Sequence, residues 1–229
     1  MADVVLNENE VIEDMGFGLQ IVQNVELYRF TSDSVLLSRF AQPKKNDIVA
    51  DFCAGSGIVA FHFYALQKEK GLAQAFTLFE LQTPLCELAK KTIALNEFPC
   101  FTVENCRLQD IGEEHRETFS LVLCNPPYER GGFDNASYEK AICRKEICIT
   151  LPEIAKAAAK VLKFGGRLAM VHRADRIAEI CYTLKSHNLE VKKMQFVAGR
   201  DGLKPYLVLI EAVKGGKPAT ELYPTISNS

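Results

Sequence analysis

The sequence lacks the signatures of membrane, secreted and zinc-binding proteins. No stretch approaches the roughly eighteen apolar residues of a membrane-spanning helix, and the acidic start MADVVLNENEVIEDMG does not resemble a signal peptide. The eight cysteines fall singly, without a C-x-x-C pair, and the four histidines do not stand at metal-ligand spacing from them. We therefore expect a cytoplasmic protein with reduced cysteines, no metal and no membrane partner.

The sequence also has no internal repeat, no low-complexity run and no evident linker. Its 229 residues suffice for one large domain or two small ones. Strand-like and helix-like segments alternate from residue 45 onward, which predicts an α/β fold with a doubly wound, mostly parallel, seven-stranded sheet and a C-terminal antiparallel hairpin strand. We interpret residues 1–44 as an arm and a helix, 45–215 as the domain, and 216–229 as a loose tail.

Local patterns add three predictions outside the central strands. Residues 16–30 alternate apolar and polar side chains around a turn-like centre, which favours a small hairpin or an extended arm. The segment TSD at 31–33 precedes an apolar helical run, so Asp33 is most simply a helix cap. The pattern at 147–166 predicts a long helix that a glycine pair closes.

Charge is divided unevenly between the two halves of the chain. Residues 1–139 hold 11 Lys and Arg against 21 Asp and Glu, whereas residues 140–217 hold 16 against 7. A basic half favours contact with a polyanion, although solvated helix faces would give the same counts.

Polar side chains follow consecutive predicted strands, at the edge where an open α/β sheet binds its ligand. They are Asp51, Glu80, Asp110 and Asn125. After the first of these strands, Gly55, Gly57 and Ala60 match the dinucleotide pattern G-x-G-x-x-A, which leaves an NAD enzyme open. The Asp51 carboxylate would repel a pyrophosphate at this point, and it favours a cationic or zwitterionic ligand.

The strand LVLC at 121–124 ends in Asn125-Pro126-Pro127-Tyr128. Two adjacent prolines remove two backbone donors and fix φ twice, so this segment is a rigid ledge that can continue neither a helix nor a ladder. Many strands simply end at prolines, but an ordinary strand end does not explain why Asn125 and Tyr128 flank the two prolines.

These motifs together resemble a known family. DFCAGSG at 51–57, Glu80, the QD pair that ends at Asp110, and above all NPPY at 125–128 resemble class I S-adenosylmethionine-dependent methyltransferases that modify exocyclic or amide nitrogens. From 28–37 through 172–180 the chain is similar to the bacterial tRNA1(Val) adenine-N6 methyltransferase family, of the small-domain type. The resemblance implies a Rossmann-like fold, S-adenosyl-L-methionine as cofactor, and the adenine immediately 3′ of the anticodon of a valine tRNA as substrate.

The resemblance also implies a role for each motif residue. Asp51, Cys53, Gly55 and Gly57 would hold the methionine part of the cofactor, and Asp33 would lie against it. Glu80 would accept hydrogen bonds from the ribose, and Asp110 would bind the cofactor adenine. The family usually has glycine where this chain has Cys53.

The NPPY residues would form the catalytic ledge for the acceptor base. The Asn125 side-chain oxygen and the Pro126 carbonyl would each accept one N6 hydrogen, Pro127 would keep the ledge rigid, and the flipped base would stack on Tyr128. Transfer would then be an in-line displacement that requires positioning rather than a metal or a strong base.

The RNA is expected to meet the basic half of the chain, and no stable protein partner is expected. Candidate substrate-binding residues are Arg144, His172, Arg173, Lys192 and Lys193, and the segment 129–141 is a candidate closing loop. Ribosomal guanine-N2 and release-factor glutamine methyltransferases also carry NPPY, so these acceptors remain open. A nucleotide-binding module without catalysis and an NAD enzyme are the remaining alternatives.

Overall fold

A computed structural model describes residues 4–27, 31–128, 148–200 and 202–228. The strands in chain order are β1 (Glu10–Asp14), β2 (Gln20–Asn24), β3 (Asp47–Phe52), β4 (Ala73–Glu80), β5 (Phe101–Asn105), β6 (Phe119–Cys124), β7 (Leu162–Arg173), β8 (Leu189–Ala198), β9 (Leu207–Lys214) and β10 (Glu221–Ser227). The helices are α1 (Ser32–Phe40), α2 (Ile58–Gln67), α3 (Thr83–Leu95), α4 (Leu151–Val161) and α5 (Ile177–Ser186).

One eight-stranded sheet organises the domain. Its order is β10-β8-β9-β7-β6-β3-β4-β5, and all neighbours are parallel except β9, which runs antiparallel to β7 and β8. The prediction of a Rossmann-like, mostly parallel α/β fold with an antiparallel hairpin strand is therefore confirmed.

Alternating side chains on the central strands face two separate cores. Val49 and Leu121 pack with apolar residues of α1 and α2 on one face of the sheet. Ala50 and Val122 pack with α4 and α5 on the other face. Apolar burial on both faces is the expected environment of a parallel strand, and it explains why β3 and β6 are nearly continuous apolar runs.

The predicted loose tail and the strand number were wrong. Residues 221–227 form β10, which pairs in parallel with β8 and makes the sheet eight-stranded rather than seven-stranded. Tyr223 and Ile226 pack against the core on the α1 and α2 face, so this segment has enough apolar surface to add a strand.

Three other local predictions differ from the structure. The hairpin exists, but its first strand is β1 at 10–14, before the alternating segment. Helix α4 ends at Val161, and the glycine pair lies inside β7, where the register with β6 shifts. The helix cap of α1 is Thr31, without a side-chain cap bond, and Asp33 lies in the first turn. Among the described residues, no helix has the length and apolar composition to cross a bilayer.

Candidate active site

A cavity of about 340 Å³ opens at the carboxyl ends of β3, β4 and β6. The chain passes from β3 outward to β4 and β5 and then returns to place β6 on the other side of β3, so the cavity lies where the strand order reverses. Its walls come from the first turn of α1, the loop after β3, the end of β4, the segment after β5 and the ledge after β6. They comprise Thr31, Asp33, Ser34, Cys53–Ser56, Ile58, Val59, Phe79–Gln82, Cys106–Gln109, Asn125–Tyr128, Cys148 and Ile149.

The loop after β3 depends on residues with positive φ. Cys53, Gly55 and Gly57 have φ values of 55°, 58° and 88°. A Cβ atom on Gly57 would collide with the ring of Phe61 and lie 2.7 Å from Cδ2 of Leu78, so glycine is needed there for close packing of α2 on the sheet. Gly57 therefore shapes the loop but does not line the cavity, whereas Cys53 and Gly55 do.

The Glu80 carboxylate joins two segments of the cavity wall, the loop after β3 and the segment after β4. It is 6% exposed, and its two oxygens accept 2.8 Å hydrogen bonds from the backbone N–H groups of Gly55 and Gln82. Burial raises the pKa of Glu80, and these backbone bonds oppose the shift. A carboxylate has about four acceptor positions, so both oxygens retain the capacity to bind a pair of hydroxyl groups.

Asp51, near the end of β3, is 1% exposed and does not line the cavity. Its Oδ2 accepts a hydrogen bond of 3.1 Å from the backbone N–H of Ala60, and its Oδ1 has no hydrogen-bond partner among the described residues. Burial raises the pKa of Asp51 to about 8, and the charge of Glu80 adds to the shift. A buried acceptor without a partner fits a ligand or a water that brings a donor or a positive charge.

The segment after β5 closes the cavity with residues that differ from the predicted one. Arg107, Leu108 and Gln109 line the wall, whereas Asp110 is exposed at the end of a short 3-10 helix and does not. The Gln109 side-chain amide donates to the carbonyl of Cys148 and to Glu153, both at 3.1 Å. Asp110 is therefore not part of the cavity wall, and its contact with the cofactor adenine stays a prediction.

The NPPY ledge lines the cavity at the end of β6, and hydrogen bonds to α1 hold it in place. The side-chain nitrogen of Asn125 donates to Oγ of Ser34 at 3.0 Å. The Tyr128 hydroxyl donates to Oδ2 of Asp33, and the Tyr128 ring lies 5.4 Å from the ring of His172. All four NPPY residues line the same cavity as Glu80 and Gly55.

A family comparison decides the class of this site. The family model described as "Methyltransferase small domain" matches residues 31–200, which span α1, the whole cavity and β8. The chain belongs to this family. The membership and the fold confirm the prediction of a class I methyltransferase that uses S-adenosyl-L-methionine.

Individual relatives are distant but cover most of the chain. A protein of Shewanella sediminis named tRNA1(Val) (adenine(37)-N6)-methyltransferase is 21% identical over 199 residues, 85% of this chain and 76% of that protein. A protein of Shewanella baltica with the same name is 24% identical over 204 residues, 86% and 80% of the two chains.

Solved structures support the fold. A predicted O-methyltransferase of Agrobacterium tumefaciens has a TM-score of 0.66 at 19% identity, over 85% of this chain and 86% of that one. The tRNA m1G37 methyltransferase of M. jannaschii has a TM-score of 0.60 at 14% identity, over 93% of this chain and 59% of that one.

Within this methyltransferase fold, His172 has a different place from the predicted one. It is 2% exposed, and its Nδ1 accepts a 2.8 Å hydrogen bond from the backbone N–H of Arg173. Burial lowers its pKa to about 4, and the charge of Arg176 adds to the shift. A buried, neutral imidazole does not reach RNA phosphate, so its contact is the ring of Tyr128.

Of the other predicted substrate-binding residues, those that the structure describes do not line the cavity. Arg144 and the segment 129–141 fall outside the described residues. Arg173 ends β7 and pairs with Asp175 at 2.6 Å. Lys192 and Lys193 lie in β8, which β9 and β7 separate from β6. Lys193 pairs with buried Glu211 at 3.2 Å, so the structure does not bring these two lysines to the cavity.

Sequence reasoning missed several walls of the cavity. Ser34 follows Asp33, which was the residue of this segment chosen as a helix cap and as a neighbour of the cofactor, and Arg107 and Gln109 precede Asp110, which was chosen after β5. The TSDS run holds four polar residues in succession, more than one helix cap uses, and that excess is a signal that could have found Ser34.

Proposed function

We propose that this methyltransferase transfers a methyl group from S-adenosyl-L-methionine to N6 of an unpaired adenine in tRNA, the adenine 3′ of the anticodon of a valine tRNA. One observation carries the proposal. The NPPY ledge after β6 and Glu80 at the end of β4 line one cavity from the two sides of β3, and the Asn125 amide uses its nitrogen on Ser34, which leaves its carbonyl oxygen for the acceptor.

The cofactor side of the cavity suits each part of S-adenosyl-L-methionine. Glu80 has the acceptor capacity for two ribose hydroxyls, and the Gly55 turn provides a backbone that a ligand can approach closely. Oδ1 of Asp51 has no hydrogen-bond partner among the described residues, and the positively charged ammonium group of the methionine part would compensate the negative charge of this carboxylate. When bound, the cofactor supplies an electrophilic methyl group.

The ledge supplies what an adenine amine needs. The N6 lone pair is delocalised into the ring, so N6 is a weak nucleophile in its ordinary planar form. Two acceptors, Oδ1 of Asn125 and the carbonyl oxygen of Pro126, would each take one N6 hydrogen and draw the nitrogen towards tetrahedral geometry. The prolines hold these acceptors still, so positioning supplies the acceleration without a strong base.

Tyr128 provides the platform for the flipped base. Its hydroxyl is held by Asp33 and its ring by His172, so one ring orientation is favoured before the substrate arrives. An aromatic ring beside the reacting amine is the recognition element that base-flipping enzymes use. An unpaired loop base is easier to extract than a paired one, which favours an anticodon-loop adenine.

The choice of tRNA rests on the relatives and on charge. The proteins of both Shewanella species are named for adenine 37 of tRNA1(Val). The second half of this chain is strongly basic by comparison with the first, as expected for a surface that meets a folded RNA through phosphates.

The proposal is tested by incubating the protein with methyl-labelled S-adenosyl-L-methionine and total bacterial RNA and protein. Labelled N6-methyladenosine in the tRNA fraction is the expected product. Label in guanine of ribosomal RNA, or in glutamine of a release factor, would replace the adenine assignment. Calorimetry with S-adenosylhomocysteine and with NADH separates the cofactor class, and preferential binding of NADH would contradict the proposal.

A further inference from the structure

The first turn of α1 contacts the catalytic ledge at two consecutive residues. Ser34 is 3% exposed, lines the cavity and accepts the hydrogen bond from Nδ2 of Asn125. Asp33 accepts the hydrogen bond from the Tyr128 hydroxyl. These contacts join segments that lie more than ninety residues apart in the chain, at separations of 91 and 95 residues.

The orientation of the Asn125 amide decides whether the ledge can work. The amide can rotate to present either its carbonyl oxygen or its NH₂ group to the cavity. An adenine amine is itself a donor, so an NH₂ group in the cavity would oppose it donor to donor. Only the orientation with Oδ1 in the cavity accepts an N6 hydrogen, and in that orientation Nδ2 requires an acceptor on the protein side.

We propose that Ser34 is a positioning residue that holds the Asn125 amide with its carbonyl oxygen towards the acceptor amine; this inference rests on the proposed function. The Ser34 hydroxyl accepts the Nδ2 hydrogen and removes the penalty of leaving that donor unpaired next to the buried core. Without this acceptor, Nδ2 is left unpaired on the protein side, so the amide rotates more readily and places its NH₂ group in the cavity.

The position of Ser34 is rigid because α1 is anchored behind it. Leu37 is fully buried on the next turn of the same face, and Phe40 packs in the same core. The backbone N–H of Ser34 bonds to the carbonyl of Thr31 at 3.1 Å. The anchored helix therefore holds the Ser34 hydroxyl in a fixed position beside the Asn125 amide. Sites built on helices and strands orient their side chains more accurately than sites on loops.

Ser34→Ala removes the acceptor and should lower kcat for tRNA methylation about tenfold, with the affinity for S-adenosylhomocysteine and the KM for tRNA unchanged within about threefold. Ser34→Thr keeps the hydroxyl and should restore kcat to within about threefold of the wild type. Ser34→Cys keeps the shape but offers a weak acceptor, and it should resemble Ser34→Ala.

The same helix offers a matched control. Ser38 lies one turn later, is 1% exposed, and its hydroxyl bonds to the carbonyl of Val35 at 2.8 Å and to Nδ1 of His62 at 2.7 Å. It does not line the catalytic cavity. Ser38→Ala should lower the melting temperature and leave kcat unchanged, which separates loss of stability from loss of positioning.

The double variant Ser34→Ala/Asn125→Ala completes the test. If Ser34 acts through Asn125, the double variant should be no slower than Asn125→Ala alone. A wild-type kcat in Ser34→Ala, an equal loss in Ser38→Ala, no rescue by threonine, or additive losses in the double variant would overturn the role of Ser34 while the function stands. A wild-type enzyme that methylates no adenine overturns the proposed function, and the inference with it.

Discussion

The backbone N–H of Gly55 donates to the Glu80 carboxylate at 2.8 Å, which joins the loop after β3 to the end of β4. The contact places the buried Glu80 carboxylate beside Gly55, whose backbone is in the left-handed conformation, at one wall of the cavity. Glu80 is therefore prearranged by the protein before a ligand binds, and the first prediction follows from this bond.

Glu80→Gln should reduce the affinity for S-adenosylhomocysteine about tenfold or more. Glutamine has one acceptor oxygen where two backbone N–H groups and two ribose hydroxyls require acceptors, so at least one hydrogen bond is lost. Calorimetry measures the change. The control is Glu87→Gln on α3, whose carboxylate is exposed and pairs with Lys90. Equal affinities for Glu80→Gln and the wild type would remove Glu80 from the cofactor site.

The second prediction concerns Asp51 and pH. Its pKa is raised by burial to about 8 in the folded protein, against an ordinary value of 3.8. Between these values the folded state retains a proton that the unfolded chain has lost. The contribution of Asp51 to stability is therefore complete below its ordinary pKa of 3.8 and is lost as the pH rises to about 8. Asp51→Asn does not titrate and should melt at a higher temperature than the wild type, by a margin that increases from pH 5 to pH 8.

Melting curves of both proteins without ligand, at intervals between pH 5 and 9, measure this margin. The same variant should bind S-adenosylhomocysteine more weakly, because the amide cannot compensate the ammonium group of the ligand. Parallel pH curves for the two proteins would show that Asp51 titrates at an ordinary pKa.

The sequence predicted the central architecture because its signals are local. Apolar runs such as Leu121–Cys124 and the glycine turn at 55–57 specify a strand and a strand-to-helix turn without reference to distant residues. Residues at strand ends could be placed near one another from topology alone, which is why Glu80 and Asn125 were found.

Long-range contacts account for the errors. His172 looked like a polar strand end, but Tyr128 and the neighbouring strands bury it. Strand β10 has little periodicity of its own, and its pairing with β8 makes it a strand. The hydrogen bond between Ser34 and Asn125 joins residues 91 positions apart, and local sequence patterns do not predict a contact at this separation.

The third prediction tests the structural role of the C-terminal segment. Tyr223 in β10 packs against the core, with its ring 6.5 Å from that of Phe40, whereas the adjacent Leu222 is 69% exposed. Tyr223→Ala should therefore lower the melting temperature by about 3–6 °C, and Leu222→Ala should change it by less than about 1 °C. A segment that is loose in solution would give equal and negligible effects for both variants.

The fourth prediction concerns the basic surface. Arg200 and Lys204 are exposed in the connection from β8 to β9, at the sheet end that carries the cavity. Reversing both charges to Glu should weaken tRNA binding about tenfold or more and reduce the salt dependence of the binding constant. The matched control reverses Lys68 and Lys70, which are exposed before β4 at the opposite end.

Binding isotherms at several salt concentrations distinguish these variants. If both pairs of substitutions weaken binding equally, RNA attraction is a property of net charge rather than of the cavity end. If neither does, RNA contacts the protein through other residues.

The central claim is N6-methylation of one adenine, and the most direct measurement is mass spectrometry of a valine tRNA after reaction with methyl-labelled S-adenosyl-L-methionine. We predict one labelled N6-methyladenosine, immediately 3′ of the anticodon, which disappears when that adenine is replaced by guanine. Asn125→Ala should bind S-adenosylhomocysteine with an affinity within a few-fold of the wild type and methylate at least about 100-fold more slowly. Label elsewhere in the tRNA, on guanine, or retained at the wild-type rate in Asn125→Ala would contradict this account.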